Sequence, residues 1–136
     1  MGRVEPMTPT DVRQRAATAR EHLQVSLERL EMCRHDAGQS SEAQVAASNA
    51  VSAAIAAADA LCGHALGQRA AGADHREAVA LLRRVTGIGA TLAPKLTRLL
   101  SDKTLFQYGG FCTRAQAERA AREADSLVKE LDRLSL

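Results

Sequence analysis

At 136 residues the chain is of ordinary single-domain size, with room for one modest hydrophobic core. The 46% apolar content rests on 27 alanines, and the three aromatics, Phe106, Tyr108 and Phe111, fall within six positions, a composition that suits close-packed helices and offers little to a β-sandwich. A formal net charge of +2 excludes nucleic-acid binding by bulk electrostatics, so any basic surface has to be local.

In chain order, Glu5 and two prolines occupy the N-terminal stretch where a secretory signal would carry an apolar core. Residues 1–8 are expected to be flexible. Thr8-Pro9-Thr10-Asp11 has the form of a helix start, with a hydroxyl cap, Pro at the first helical position and an acid two residues later. Val12, Ala16, Ala19, Leu23, Leu27 and Leu30 then recur at three- and four-residue steps, predicting an amphipathic helix to about Arg34. Ser41-Glu42-Ala43-Gln44 reads as a capping box opening a second helix to about Leu66. From Ala43 to Gln68 its only formal charge is Asp59, so this helix is expected at the centre, covered on several sides. Its uncharged run, Ala43 to Ala58, includes Gln44, Ser48, Asn49 and Ser52 and is too short and too polar to span a bilayer.

Gly67 to Ala73 reads as a loop. Asp74-His75-Arg76-Glu77 starts a short third helix carrying Ala78, Leu81, Leu82 and Val85 and ending at Gly87. A fourth helix follows from about Thr91, with Pro94 in its first turn and Leu92, Leu96, Leu99 and Leu100 as its stripe. Lys103, Gln107 and Tyr108 are assigned to its end, and Leu105 to Cys112 to a turn region. Thr113-Arg114-Ala115-Gln116 opens the last helix, with Ala117, Ala120, Ala124, Leu127, Leu131 and Leu134 inward. Five helices, short loops and no strand signal predict an all-α up-and-down bundle, one domain over residues 1–136. Cys33, Cys62 and Cys112 are odd in number and form no Cys-x-x-Cys pair; they read as buried thiols in a reducing compartment, and cytoplasm is the expected location.

Ser52 to Leu61, then Asp74 to Leu82, then Lys103-Thr-Leu-Phe-Gln107-Tyr108-Gly109 ahead of a capped final helix, form three polar islands on an apolar pattern. Their order and spacing resemble a bacterial branch of the HEPN superfamily, over roughly residues 41 to 134. The resemblance implies a HEPN-like bundle, frequent homodimerisation and a polar groove near the dimer interface. It implies one of two activities. One is metal-independent RNA cleavage, often by toxins or defence effectors. The other is non-cleaving binding of RNA, of nucleotide, or of a nucleotidyltransferase partner, as in toxin–antitoxin systems. The family's nuclease signature is an Arg, four to six residues, then a His, late in the bundle. Here Arg69 and His75 have that spacing, but they fall between helices two and three, and Ala70 stands where a polar residue is usual. At the late position the chain has Lys103 to Tyr108, without Arg or His.

On these residues the candidate ligand set is Ser52, Asp59, Asp74, His75, Lys103, Gln107 and Tyr108. Asp59 shares a helical stripe with Ser48, Ser52 and Ile55, and a carboxylate there needs a cation or water. It is either a groove acid or a structural partner of an Arg or a loop. His75, just after its Asp74 cap, is expected to be neutral at the positive end of a helix dipole. That suits either a general base acting with Arg69 on a phosphate, or a packed capping residue. Tyr108 suits stacking on a base, donating to a phosphate, or pinning the Gly109-Gly110 turn. Val85-Thr86-Gly87-Ile88-Gly89 with Leu92 to Leu96 resembles the hairpin of helix-hairpin-helix DNA-binding motifs, flanked by Arg83, Arg84, Lys95 and Arg98 as backbone contacts. The same glycines suit a tight helix–helix corner. His22, His35 and His64 lack ligand spacing, so no metal site and no cofactor are expected.

The primary expectation is therefore a HEPN-like homodimeric binding module for a nucleotide, RNA or a nucleotidyltransferase. The alternatives are a ribonuclease using Arg69 and His75, and a DNA binder using Gly87-Ile88-Gly89.

Overall fold

The computed structural model describes residues 3–72 and 74–136; the expectations for residues 1–2 and for Ala73 lie outside the described residues. The chain is an all-α bundle, 74% helical. Among the described residues the elements are β1 (Val4–Pro6), α1 (Pro9–Met32), β2 (Gln39–Ser40), α2 (Ser41–Leu66), β3 (Gln68–Ala70), α3 (His75–Arg83), α4 (Gly89–Ser101), α5 (Lys103–Tyr108), β4 (Cys112–Thr113) and α6 (Arg114–Arg133).

The long helices start where their caps dictate. Thr8 and Asp11 form a reciprocal capping box at α1, with Pro9 at its first position, and Thr113 and Gln116 do the same at α6. At α2 the cap is Ser40 rather than Ser41: the Ser40 hydroxyl accepts from the Ala43 amide. Gln44, freed from capping, donates instead to the Phe106 carbonyl at 2.5 Å. Gly67, left-handed at φ 72°, closes α2.

The buried residues form one cluster in which α2 is the central element, with fifteen of its residues buried. It runs antiparallel to α1, as the buried Ser26 hydroxyl donating to the Ala46 carbonyl at 2.7 Å shows, while α6 lies against both. Gly63 is where α2 takes the start of α1 at close range; a Cβ there would fall 2.6 Å from Met7 Sδ and 2.8 Å from Val12 Cγ2. By length and composition α2 is able to cross a membrane, contrary to the sequence expectation that it is too short and polar, yet 72% of its most apolar stretch is buried inside the protein.

Four further expectations are corrected. The bundle has six helices, not five, because Asp102 ends α4 and Lys103, Gln107 and Tyr108 sit on the separate short α5. Pro94 lies inside α4, which starts at Gly89 and not Thr91. The proline is tolerated because it sits on the exposed face, where water reaches the carbonyl left without its donor. Strands are present. β1 pairs antiparallel with β3 (Glu5 opposite Arg69) and β2 with β4 (Ser40 opposite Cys112), so each end of the bundle is tied by a two-stranded clip. The segment before α1, expected to be flexible, is held over residues 3–7: Ala71 N–H donates to the Arg3 carbonyl and Met7 N–H to the Gly67 carbonyl, both at 2.9 Å.

Candidate functional site

Asp59 is buried on α2, and its carboxylate receives Arg15 Nη2 from α1 at 3.0 Å and Arg69 Nη1 from β3 at 3.5 Å. Burial pushes its pKa above the ordinary carboxylate value, against the pull of Arg15 and then Arg69. Arg69 also holds Glu5 of β1 at 2.9 Å, and the Glu5 contact raises its pKa. Of the two roles open to Asp59, the contacts are those of an ion-paired structural residue. The same contacts commit Arg69. Its guanidinium is divided between Asp59 and Glu5, while His75 lies on the other side of the loop, at the first position of α3.

Ser52 and Gln107 are also engaged. Gln107 donates to the Ser52 hydroxyl at 3.3 Å and to the Ser48 carbonyl at 3.4 Å. With the Gln44–Phe106 bond, these contacts lay α5 across the polar stripe of α2, and Phe106 is buried beneath it. The stripe at Gln44, Ser48 and Ser52 is visible in the sequence; that it seats a helix and not a ligand depends on α5.

An open cleft of about 630 Å³ lies between α3 and α4, lined by Asp74, His75, Arg76, Val79, Arg83, Thr97, Leu100 and Ser101. Asp74 caps α3, accepting from the Arg76 amide at 3.0 Å, and also pairs with the Arg76 guanidinium at 2.9 Å; those bonds lower its pKa. Glu77 does not complete a capping box. It accepts from the Arg3 amide at 3.1 Å and so ties the N-terminal segment to α3. Burial, with Lys103 close by, holds the His75 imidazole below its usual pKa. Thr97 and Ser101 donate their hydroxyls to carbonyls one turn back on α4, so their protons are spent on the helix. Arg83 is exposed, with no acidic partner among the described residues. The cleft thus offers His75 and Arg83, with Lys103 two residues beyond Ser101.

The four cations flanking Gly87-Ile88-Gly89 do not share one surface. Arg83 lines the cleft, whereas Arg84 lines a separate depression with Arg3, Val4 and Gln68. Arg98 is held by both oxygens of Glu123 on α6, at 3.1 Å each, and Lys95 is half-buried. Gly87 is left-handed at φ 89°. A Cβ on Gly89 would fall 2.5 Å from the Arg83 carbonyl oxygen and 2.6 Å from that of Leu82, so a tight α3–α4 corner by itself requires this glycine. Over Asp74 to Tyr108 six Lys and Arg face three acids, Asp74, Glu77 and Asp102; the whole positive excess of the chain falls in this segment.

The structure adds residues that carried no local sequence signal: Arg15 and Glu5 in the Asp59 network, Thr97 and Ser101 in the cleft wall, and Phe111, whose ring is exposed. No protein-family model and no curated protein matches the chain.

Proposed function

We propose that this protein is a HEPN-like helical module that binds a phosphate-bearing ligand, RNA or a nucleotide, in the α3–α4 cleft without cleaving it. The observation that carries the reading is the convergence of His75 and Arg83 on one open cleft beside Lys103, within the segment that holds the positive excess. An open cleft whose wall carries Arg83, free of an acidic partner among the described residues, beside an imidazole able to donate, suits phosphate oxygens. Binding is favoured over cleavage because Arg69, the only Arg at nuclease spacing from His75, is occupied by Asp59 and Glu5, and acid–base cleavage needs both groups on one phosphate. The order of the polar islands supports the HEPN reading, and with it come homodimerisation, a nucleotidyltransferase as the protein partner and a place in a toxin–antitoxin or defence system. The three buried free thiols fit a cytoplasmic setting.

Inorganic tripolyphosphate, ATP and a short single-stranded RNA are the probes, titrated calorimetrically into wild type and Arg83→Glu. Binding should weaken steeply with salt and at least about tenfold in the variant. Equal binding by both proteins would remove the cleft from the reading. Total RNA incubated with wild type and with His75→Ala should stay intact in both. Cleavage that disappears in the variant would establish the ribonuclease instead.

A second reading, duplex DNA held at Gly87-Ile88-Gly89, is favoured by one feature: Thr86 and Gly87 are exposed and Gly87 is left-handed at φ 89°, so the backbone of the turn is open to a phosphate. It predicts salt-sensitive duplex binding that Lys95→Glu weakens and Arg98→Ala, already neutralised by Glu123, leaves intact.

A further inference from the structure

Tyr108 and Phe111 bracket the Gly109-Gly110 turn, and the two residues are 76% and 58% exposed. The chain has three aromatics, and the third, Phe106, is buried as the anchor of α5. Exposing both remaining aromatics on one turn places two apolar ring surfaces side by side in water. The turn is held in place at both ends. Before it, Gln44 and Gln107 tie α5 to α2; after it, Cys112 and Thr113 pair with Ser40 and Gln39. Gly110, left-handed at φ 108°, turns the chain between the two rings. Lys103 Nζ stands 5.2 Å from the Tyr108 ring centroid, so a cation adjoins the ring, and Ser101 places the α3–α4 cleft two residues further back. Exposed aromatics on an anchored turn, with Lys103 over one of them, match what a flexible polyanion with planar side groups needs. The rings accept bases of any sequence by stacking, while the cations take the phosphates between them. A duplex hides its base faces, and a mononucleotide has one base for two rings.

We infer that the ligand is a single-stranded nucleic acid, two of whose bases stack on Tyr108 and Phe111 while its backbone runs past Lys103 into the α3–α4 cleft. This rests on the cleft reading above and adds the strand and the two-base platform to it.

Tyr108 is the sole tyrosine and the chain has no tryptophan, so tyrosine emission reports on this one ring. The full-length protein is titrated with unlabelled oligouridylate of eight nucleotides and with an abasic oligomer of the same length, and emission is corrected for absorption against free tyrosine. Affinities are measured in parallel by calorimetry. Oligouridylate should quench the emission and bind at least about tenfold tighter than the abasic chain, which should leave the emission unchanged. Tyr108→Ala and Phe111→Ala should each remove most of that advantage. Tyr108→Phe, which keeps the ring and loses the hydroxyl, should bind like wild type, and Arg83→Glu should weaken both oligomers. Helical circular dichroism checks that each variant is folded, as exposed positions on a turn should allow.

If the two alanine variants bind oligouridylate normally while Arg83→Glu does not, the stacking platform is overturned and the cleft stands. Equal affinity for the two oligomers has the same consequence. Emission that depends on protein concentration and ignores oligouridylate would show the rings covered by a second copy of the chain, overturning the platform. If neither oligomer binds, the cleft reading and the platform fall together.

Discussion

Asp59 and His75 are the residues on which chemistry in this chain turns, and their surroundings give them different work. A carboxylate set in an alanine helix signals in the sequence that a cation must reach it. The cations are Arg15, from a different helix, and Arg69, from a strand too short to leave a pattern, so the sequence could not supply the partners. Arg15→Ala should therefore destabilise the fold, leaving the buried Asp59 carboxylate with only the longer Arg69 contact. A drop of about 2 kcal/mol in urea unfolding is expected, below the usual loss for a fully buried pair because Arg15 is partly exposed and Arg69 remains. Unchanged stability would show that the Arg15 pairing does not hold Asp59 in the fold. His75 behaves oppositely to a paired histidine. Burial and Lys103 hold its folded pKa below the ordinary value of about 6.5, so the unfolded chain binds the proton first. Its contribution to stability is then present above that value, declines as pH falls toward the folded pKa and is level below it. Imidazole NMR titration should show a midpoint under 6.5 in the free protein. Saturation with tripolyphosphate should move the midpoint upward, since a bound anion favours the imidazolium. A midpoint indifferent to the anion would separate His75 from the cleft's ligand.

At the scale of elements, the long helices were legible because their starts are chemically explicit. Thr8-Pro9-Thr10-Asp11 and Thr113 to Gln116 are caps whose hydrogen bonds form as the residues imply. The start of α2 shifted by one residue because two adjacent serines offer equivalent hydroxyls, and tertiary contact with Phe106 claimed Gln44. Alpha-helix α5 was not legible. It has six residues, and what makes it an element is its seat on α2. The α3–α4 corner was legible as a glycine pair, though two functions compete for it. Packing alone accounts for Gly89, whose missing side chain lets α4 meet the end of α3. Gly89→Ala should lower stability by about 2 kcal/mol, because the atoms a methyl would meet are backbone and have no rotamer to yield. The same variant should weaken phosphate binding, since forcing α3 and α4 apart widens the cleft between them. Urea unfolding and calorimetry on one preparation test both effects, and a variant of normal stability would show that the corner has slack.

At the scale of the molecule, the sequence announces the three-helix centre because alanine is concentrated where helices approach most closely. Nearly every position of α2 from Ala43 to Gly63 is small, and neighbours press on it from several sides. What the sequence conceals is which polar residues end up together. The polar islands look alike on paper, yet Asp59 is absorbed by Arg15 and Arg69, Ser52 by Gln107 of α5, and Asp74, His75 and Arg76 line the cleft together with Arg83. Those allotments are made by contacts between segments far apart in the chain, which a local pattern cannot encode.

The two strand clips have a consequence for how the chain finds its fold. The α1–α2 hairpin closes through a short connection, whereas β1 and β3 are separated by α1 and α2, and β2 and β4 by everything from α2 to α5. Closing so large a loop for two or three backbone pairings gains little until the helices have already docked. The clips should therefore be absent from the folding transition state and form on the way down from it. In stopped-flow urea experiments, Glu5→Ala should speed unfolding while leaving refolding near the wild-type rate, and Leu61→Ala, in the buried C-terminal part of α2, should slow refolding. The clip that commits Arg69 to Glu5 would then be the last to close and the first to open.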